Sequence, residues 1–221
     1  EVGQKGYHFK QTEDLDCRAM TTWPTIHFKG YYHGNKKSIR LKEGTKLFKK
    51  ISESSISNLL LSGGLLAEES ENQSTITACE TDDSLIRNAK DCNIYNCRTS
   101  NFLIDNIAIN CSISFCHTKN SLIKQYADHC KISDCLVTLI SNQLTEEVSG
   151  ISKILKNKSI IERCFVICDK SKNPLKSDTS YLPSALRIRL RSEYLSGNFS
   201  GIVSTSKNES EIRNCAIGKC T

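Results

Sequence analysis

A chain of 221 residues, 38% of them hydrophobic and only three of them proline, is long enough to bury one sizeable elongated core. No apolar run approaches the roughly 18 residues that a membrane-spanning helix requires, which excludes such a helix from these residues. The formal net charge of +6 is modest, so any charged binding surface has to be local rather than spread over the molecule.

In chain order, residues 1–60 read as N-terminal coils built of short β-runs. They carry Tyr7, the acidic turn Glu13-Asp14-Leu15-Asp16, the pair Trp23-Pro24, and then Phe28, Gly30, Tyr32, Gly34 and Ile39 at fixed spacing. Further on, Gly63-Gly64-Leu65-Leu66 with Ile76 to Cys79, and Gly201-Ile202-Val203 with Ile212, Asn214 and Cys215, repeat a glycine-led strand followed by an Ile-x-Asn-Cys-like turn. This combination resembles bacterial right-handed parallel β-helix proteins of the GLUG-repeat type, with His33 standing where an acidic residue is usual. The resemblance implies a solenoid scaffold within a large secreted or surface-displayed bacterial protein.

The same N-terminal region holds the charge. From 29 to 50 the chain carries Lys29, Lys36, Lys37, Arg40, Lys42, Lys46, Lys49 and Lys50 against Glu43 alone, eight minus one or +7, while the whole chain sums to +6. The remainder is therefore close to neutral, and positive potential is expected on one coil and its neighbour. Only Phe28, Tyr31, Tyr32 and Phe48 interleave with these charges, too few for a base-stacking surface, so nucleic acid is not the expected partner. Lys36, Lys37, Arg40 and Lys42 are candidate contacts to the acidic surface of a protein, such as a host protein.

Residues 61–140 are the most regular. Cys92, Cys111 and Cys130 are 19 residues apart, as are Cys97, Cys116 and Cys135, with Ile94, Ile113 and Ile132 in phase between them. Apolar doublets precede each pair at Leu85-Ile86, Leu103-Ile104 and Leu122-Ile123, and the series extends to Leu65-Leu66 before and Leu139-Ile140 after. A period near twenty with short β-runs and polar corners predicts an all-β parallel solenoid of about 19 residues per coil; a leucine-rich repeat would need a denser leucine pattern and a convex helical segment. Asn96, Asp134 and Asn214, each just before a cysteine, are expected in the left-handed conformation that turns a corner. That corner lets Ile94 and Cys97 both face inward despite their odd spacing.

Most of the twelve cysteines are accordingly expected to be buried thiols in columns. Stacked coils hold like residues in parallel rows, whereas zinc needs four converging ligands and a disulfide a Cβ separation of roughly 3.5 to 4.5 Å. Cys17 and Cys168 lie outside the columns and leave a bridge open. No cofactor is implied. Catalysis is not expected either, since the column before the first cysteine reads Asp91, Asn110, His129, with one carboxylate, and Asp82-Asp83 has no phased acidic neighbour. His117 and His129 are expected at the surface, facing away from Cys116 and Cys130.

Beyond 140 the coils are interrupted, with insertions expected at about 141–159 and 169–200. The second contains Pro174, Tyr181, Pro183 and the alternation Arg187, Arg189 and Arg191, which would present one charged face and form a second candidate partner surface. Ile212, Cys215, Ile217 and Cys220 begin a further rung, and the sequence opens on Glu1, so the chain is expected to be part of a longer protein. The expected whole is a single β-helix domain, 1–221. It acts as a non-enzymatic recognition or adhesion module, secreted to the bacterial surface or delivered into a host cell. A polysaccharide-acting enzyme, a glycan partner and a purely structural spacer are the rivals.

Overall fold

The computed structural model describes residues 6–140, 148–169, 199–200 and 202–219. All strand pairings are parallel, no helix occurs among the described residues, and the chain winds as a right-handed β-solenoid of three-sided coils. Among the described residues there is accordingly no helix long and apolar enough to cross a membrane.

Each coil contributes one strand to each of three sheets. The first sheet stacks Thr75–Thr77, Asn93–Tyr95, Ser112–Ser114, Lys131–Ser133, Ile160–Glu162 and Glu211–Arg213. The second stacks Glu80–Thr81, Arg98–Thr99, His117–Thr118, Leu136–Ile140, Phe165–Asp169 and Ala216–Lys219. The third stacks Ile86–Lys90, Ile104–Ile109, Ile123–Asp128, Ser152–Lys156 and Val203–Ser206. Two longer strands, Ser38–Ser57 and Leu60–Glu71, bend across sheet boundaries and join the N-terminal coil to the stack.

The central residue of each first-sheet strand points inward, and Ile56, Ile76, Ile94, Ile113, Ile132 and Ile161 form one fully buried column. Burying such a side chain contributes roughly 1.5–3 kcal/mol. Leu85, Leu103, Leu122, Ile151 and Ile202 line the third side, with Ala89, Ala108 and Ala127 beside them. The doublet series continues differently from its expected ends. Ala67, not Leu66, aligns with Ile86, so the first doublet is Leu66-Ala67; Leu139-Ile140 belongs to the second sheet, opposite Cys168 and Asp169, and Ile151-Ser152 takes the next place.

Two corners of every regular coil turn through a residue of positive φ. Before the second cysteine column these are Ala78, Asn96, Phe115, Asp134, Arg163 and Asn214, with φ between 49° and 54°. The three asparagine or aspartate corners are as expected, and the same geometry also holds alanine, phenylalanine and arginine. Before the first column the turning residues are Asp91, Asn110 and His129 singly, and Asn72-Gln73, Asn157-Lys158 and Asn208-Glu209 in pairs.

The residue after each corner explains the cysteines. Cys97, Cys116, Cys135, Cys164 and Cys215 donate Sγ–H to the carbonyl two residues back at 3.1 to 3.4 Å, adding a second donor to an oxygen that already accepts the corner N–H of the preceding coil. Cys92, Cys111 and Cys130 likewise donate two residues back, at 3.0, 3.2 and 3.3 Å. Where the corner has two positive-φ residues, serine replaces cysteine and reaches three residues back, Ser74 to Glu71 and Ser159 to Lys156, both at 2.6 Å. A thiol is apolar enough to pack in a stacked column and still a weak donor, so one side chain fills the core and braces the corner. Ten described cysteines carry free thiols, Cys17 included, and no disulfide joins any of them. The side chain of Cys168 lies outside the described residues.

The remaining corner, between second and third sheets, takes one of two forms. In regular coils Thr99 and Thr118 are buried and donate Oγ1–H to the carbonyls of Asn101 at 3.0 Å and Asn120 at 2.5 Å, and only four residues separate each threonine from the next inward leucine. Asn120 Nδ2 donates to Asn101 Oδ1 at 3.3 Å, and Asn101 Nδ2 to Asp83 Oδ1 at 3.2 Å, tying successive turns together. In the next two coils the threonine column becomes Val137 and Val166. Fourteen residues then separate Val137 from Ile151, and 36 separate Val166 from Ile202, so both insertions leave from this one corner on consecutive coils. The expected insertion at 141–159 is correspondingly shorter, because Ser152–Lys156 already pairs in the third sheet with Ile123–Asp128.

Candidate functional site

The basic N-terminal coil divides into two halves. Lys46 and Lys49, the latter at 2.9 Å, pair with Glu68, which Arg87 also approaches at 3.5 Å; Lys50 pairs with Glu71 at 2.6 Å and Lys29 with Glu53 at 3.3 Å. These pairs run between coils, and the lysine ammonium groups hold the Glu68 carboxyl down at about 2. Half of the local excess is therefore spent on internal stitching, a correction to an undivided +7 surface.

Lys36, Lys37, Arg40 and Lys42 make no ion pair with a described residue, and Lys36, Arg40 and Lys42 are exposed. Lys36 sits at a positive-φ corner (φ 57°), while Arg40 leaves the outer face of the second sheet opposite Ser62. Backbone donation from Ser38, with Lys37 and Arg40 further off, lowers the Asp14 carboxyl below its usual range. Arg18 holds Asp16 at about 2 through a bidentate pair.

Arg40 and Arg18 border a depression of about 620 Å³ whose other walls include Glu43, Gly63, Asp82 and Asp83. Gly63 is required there: its φ is +82°, and an added Cβ would lie 2.2 Å from the Leu41 carbonyl oxygen. At Gly64 the added atom would lie 2.0 Å from the Thr45 carbonyl oxygen, which accounts for the Gly-Gly pair as a close coil contact.

A second, larger groove of about 930 Å³ runs along the corner between third and first sheets. The column Asp91, Asn110, His129 lies on it, and each of these positive-φ residues points its side chain off the corner. Asn110 Nδ2 donates to Asp91 Oδ1 at 2.6 Å, and His129 Nδ1 meets Asp128 Oδ1 at 2.7 Å. Asn93, Ser112 and Lys131, the outward residues just past the cysteines, form a second polar column on the groove's side. Sequence reasoning found the first column and passed over the second, whose signal was the same 19-residue recurrence one position after each cysteine.

His129 is exposed, as expected, but His117 is half-buried: its Nε2 lies 3.2 Å from Thr138 Oγ1. Burial, aided by Arg98 and Lys119, lowers its pKa. Among the described residues no three His, Cys, Asp or Glu side chains converge as a metal-binding group. Arg187, Arg189 and Arg191, together with Pro174, Tyr181 and Pro183, lie outside the described residues.

Comparison with known protein families, with curated proteins and with solved structures gave no match.

Proposed function

We propose that this solenoid is a non-enzymatic recognition scaffold of a secreted bacterial protein of the GLUG-repeat type, docking an acidic protein surface along the edge formed by Lys36, Lys37, Arg40 and Lys42. The observation that carries the reading is the division of the basic coil: Lys29, Lys46, Lys49 and Lys50 have carboxylate partners in the next coil, whereas these four do not. Positive charge without a direct ion-pair partner on a rigid edge speeds encounter with an oppositely charged surface more than it deepens affinity. Ten free thiols in the described core fit delivery into a reducing compartment such as a host cytosol.

The test is association kinetics with a partner isolated by affinity capture, at several salt concentrations. The variant K36E/K37E/R40E/K42E should slow association by at least tenfold at low salt and flatten the salt dependence, with the β-sheet circular dichroism unchanged. Unchanged kinetics in that variant would reject this edge as the docking surface.

A further inference from the structure

We infer that the 930 Å³ groove along the corner between third and first sheets is a binding site for a neutral, linear polysaccharide lying parallel to the solenoid axis. The groove spans six coils, from Tyr31 to Lys131, and with coils about 4.8 Å apart its floor extends roughly 24 Å. Along that length the sequence period sets two parallel columns of polar side chains. Corner residues Asp91, Asn110 and His129 form one, and Asn93, Ser112 and Lys131 the other. Each coil step therefore repeats a pair of hydrogen-bonding groups, and the ligand that answers a repeat of hydroxyl-competent groups is itself a repeating polyol.

Other ligand classes fit poorly. No Leu, Ile, Val, Met or Phe lines the groove, so it has no pocket for a hydrophobic peptide anchor. An extended peptide cannot add as a strand either, because the flanking strands are already paired on both sides by the adjacent coils. The charged residues at the lining are Glu53, Asp91 and Lys131, a sum of −1, which offers nothing to a polyanion such as nucleic acid.

The site is also held in place before any ligand arrives. The Asp91–Asn110 bond links two coils across the groove floor, and both residues are fixed at positive φ by the corner they turn. At the N-terminal end Tyr31, 48% exposed, presents a ring already stacked on His8 at 4.4 Å, an amphipathic face of the kind that packs on a sugar ring. None of these residues belongs to the basic edge, so the two surfaces stand or fall independently.

Titration calorimetry of the whole chain against β-linked hexaoses of glucose, mannose, xylose and N-acetylglucosamine, with polygalacturonate as the acidic comparison, tests the inference. At least one neutral hexaose should bind with a dissociation constant below a millimolar, and its disaccharide at least tenfold more weakly. Ser112→Tyr, which fills the groove from an outward strand position, should abolish that binding, and Asn93→Ala should weaken it about tenfold, while Lys42→Glu should leave it unchanged. Absence of binding to every neutral hexaose, preference for polygalacturonate, or full binding by a folded Ser112→Tyr variant would each overturn the assignment.

Discussion

The coils from Cys79 to Cys135 and those from Leu136 onward keep the same isoleucine column, the same cysteine column and the same first corner, yet they turn the second-to-third-sheet corner by different means. In the regular coils a buried threonine hydroxyl closes a four-residue turn; in the interrupted ones valine occupies that place and the chain departs for ten or more extra residues before returning to register. The fold tolerates this because coil-to-coil pairing resumes at Ser152–Lys156 and Val203–Ser206 irrespective of what lies between, and lengthening a loop adds closure entropy only logarithmically. The teaching is that the solenoid depends on its inward columns, while this one corner is open to elaboration.

The sharpest way to break the comparison is at a shared column. Ile113→Asp would bury an unpartnered carboxylate between Ile94 and Ile132 and should cost about 4 kcal/mol or more, whereas Ile212→Asp, at a position already 37% exposed, should cost under about 1 kcal/mol. Urea unfolding of the two variants measures the difference, and equal costs would contradict the inward column. Next in size is the glycine contact. Gly63→Ala puts a Cβ against the Leu41 carbonyl and should cost about 2–3 kcal/mol, while Gly44→Ala, at φ +75° with open space around it, should cost only about 1 kcal/mol.

The threonine corner itself comes next. Thr118→Val should destabilise by about 1 kcal/mol through the unsatisfied Asn120 carbonyl, while Val137→Thr, on a coil with no four-residue turn to close, should gain nothing. Urea midpoints of both variants give the comparison, and equal shifts would mean that the hydroxyl is not what closes the turn. The smallest effect belongs to Glu68. Its folded pKa of about 2 lies below the ordinary value of 4.5, so its contribution is complete above 4.5 and fades as pH falls towards 2. Glu68→Gln should remove up to about 1 kcal/mol at pH 6 and nothing near pH 2, read from urea midpoints across that range. His117 runs the same way in pH, over a higher window. Its lowered pKa means that the folded state loses stability as pH falls below the ordinary value of 6.5, and His117→Phe should remove that loss.

Much of the scaffold was legible in the chain. The 19-residue recurrence of Cys-x4-Cys around isoleucine determined a parallel solenoid, inward cysteines and a corner after Asn96 and Asp134, because stacking identical coils turns a sequence period into a spatial column. Local chemistry misled where it was read too narrowly. Ala78, Phe115 and Arg163 adopt the same left-handed corner as the asparagines, and Phe115 does so with 65% of its surface exposed. No propensity favours that, but the coils above and below fix the path, and their pairing outweighs the roughly 1–2 kcal/mol that a bulky residue costs there.

The sequence by itself thus determined the columns, the coil length and the local concentration of positive charge. Only the tertiary structure decided which of those charges are consumed by Glu53, Glu68 and Glu71 one coil away, and that both insertions share a corner. It also decided that Asp91, Asn110 and His129 line a groove with Asn93, Ser112 and Lys131. The reason is geometric. Column membership depends on a period that can be counted along the chain, whereas the partner of a side chain on the outside of a coil depends on how neighbouring coils bulge, widen or turn, and those offsets are set by packing between residues some twenty positions apart.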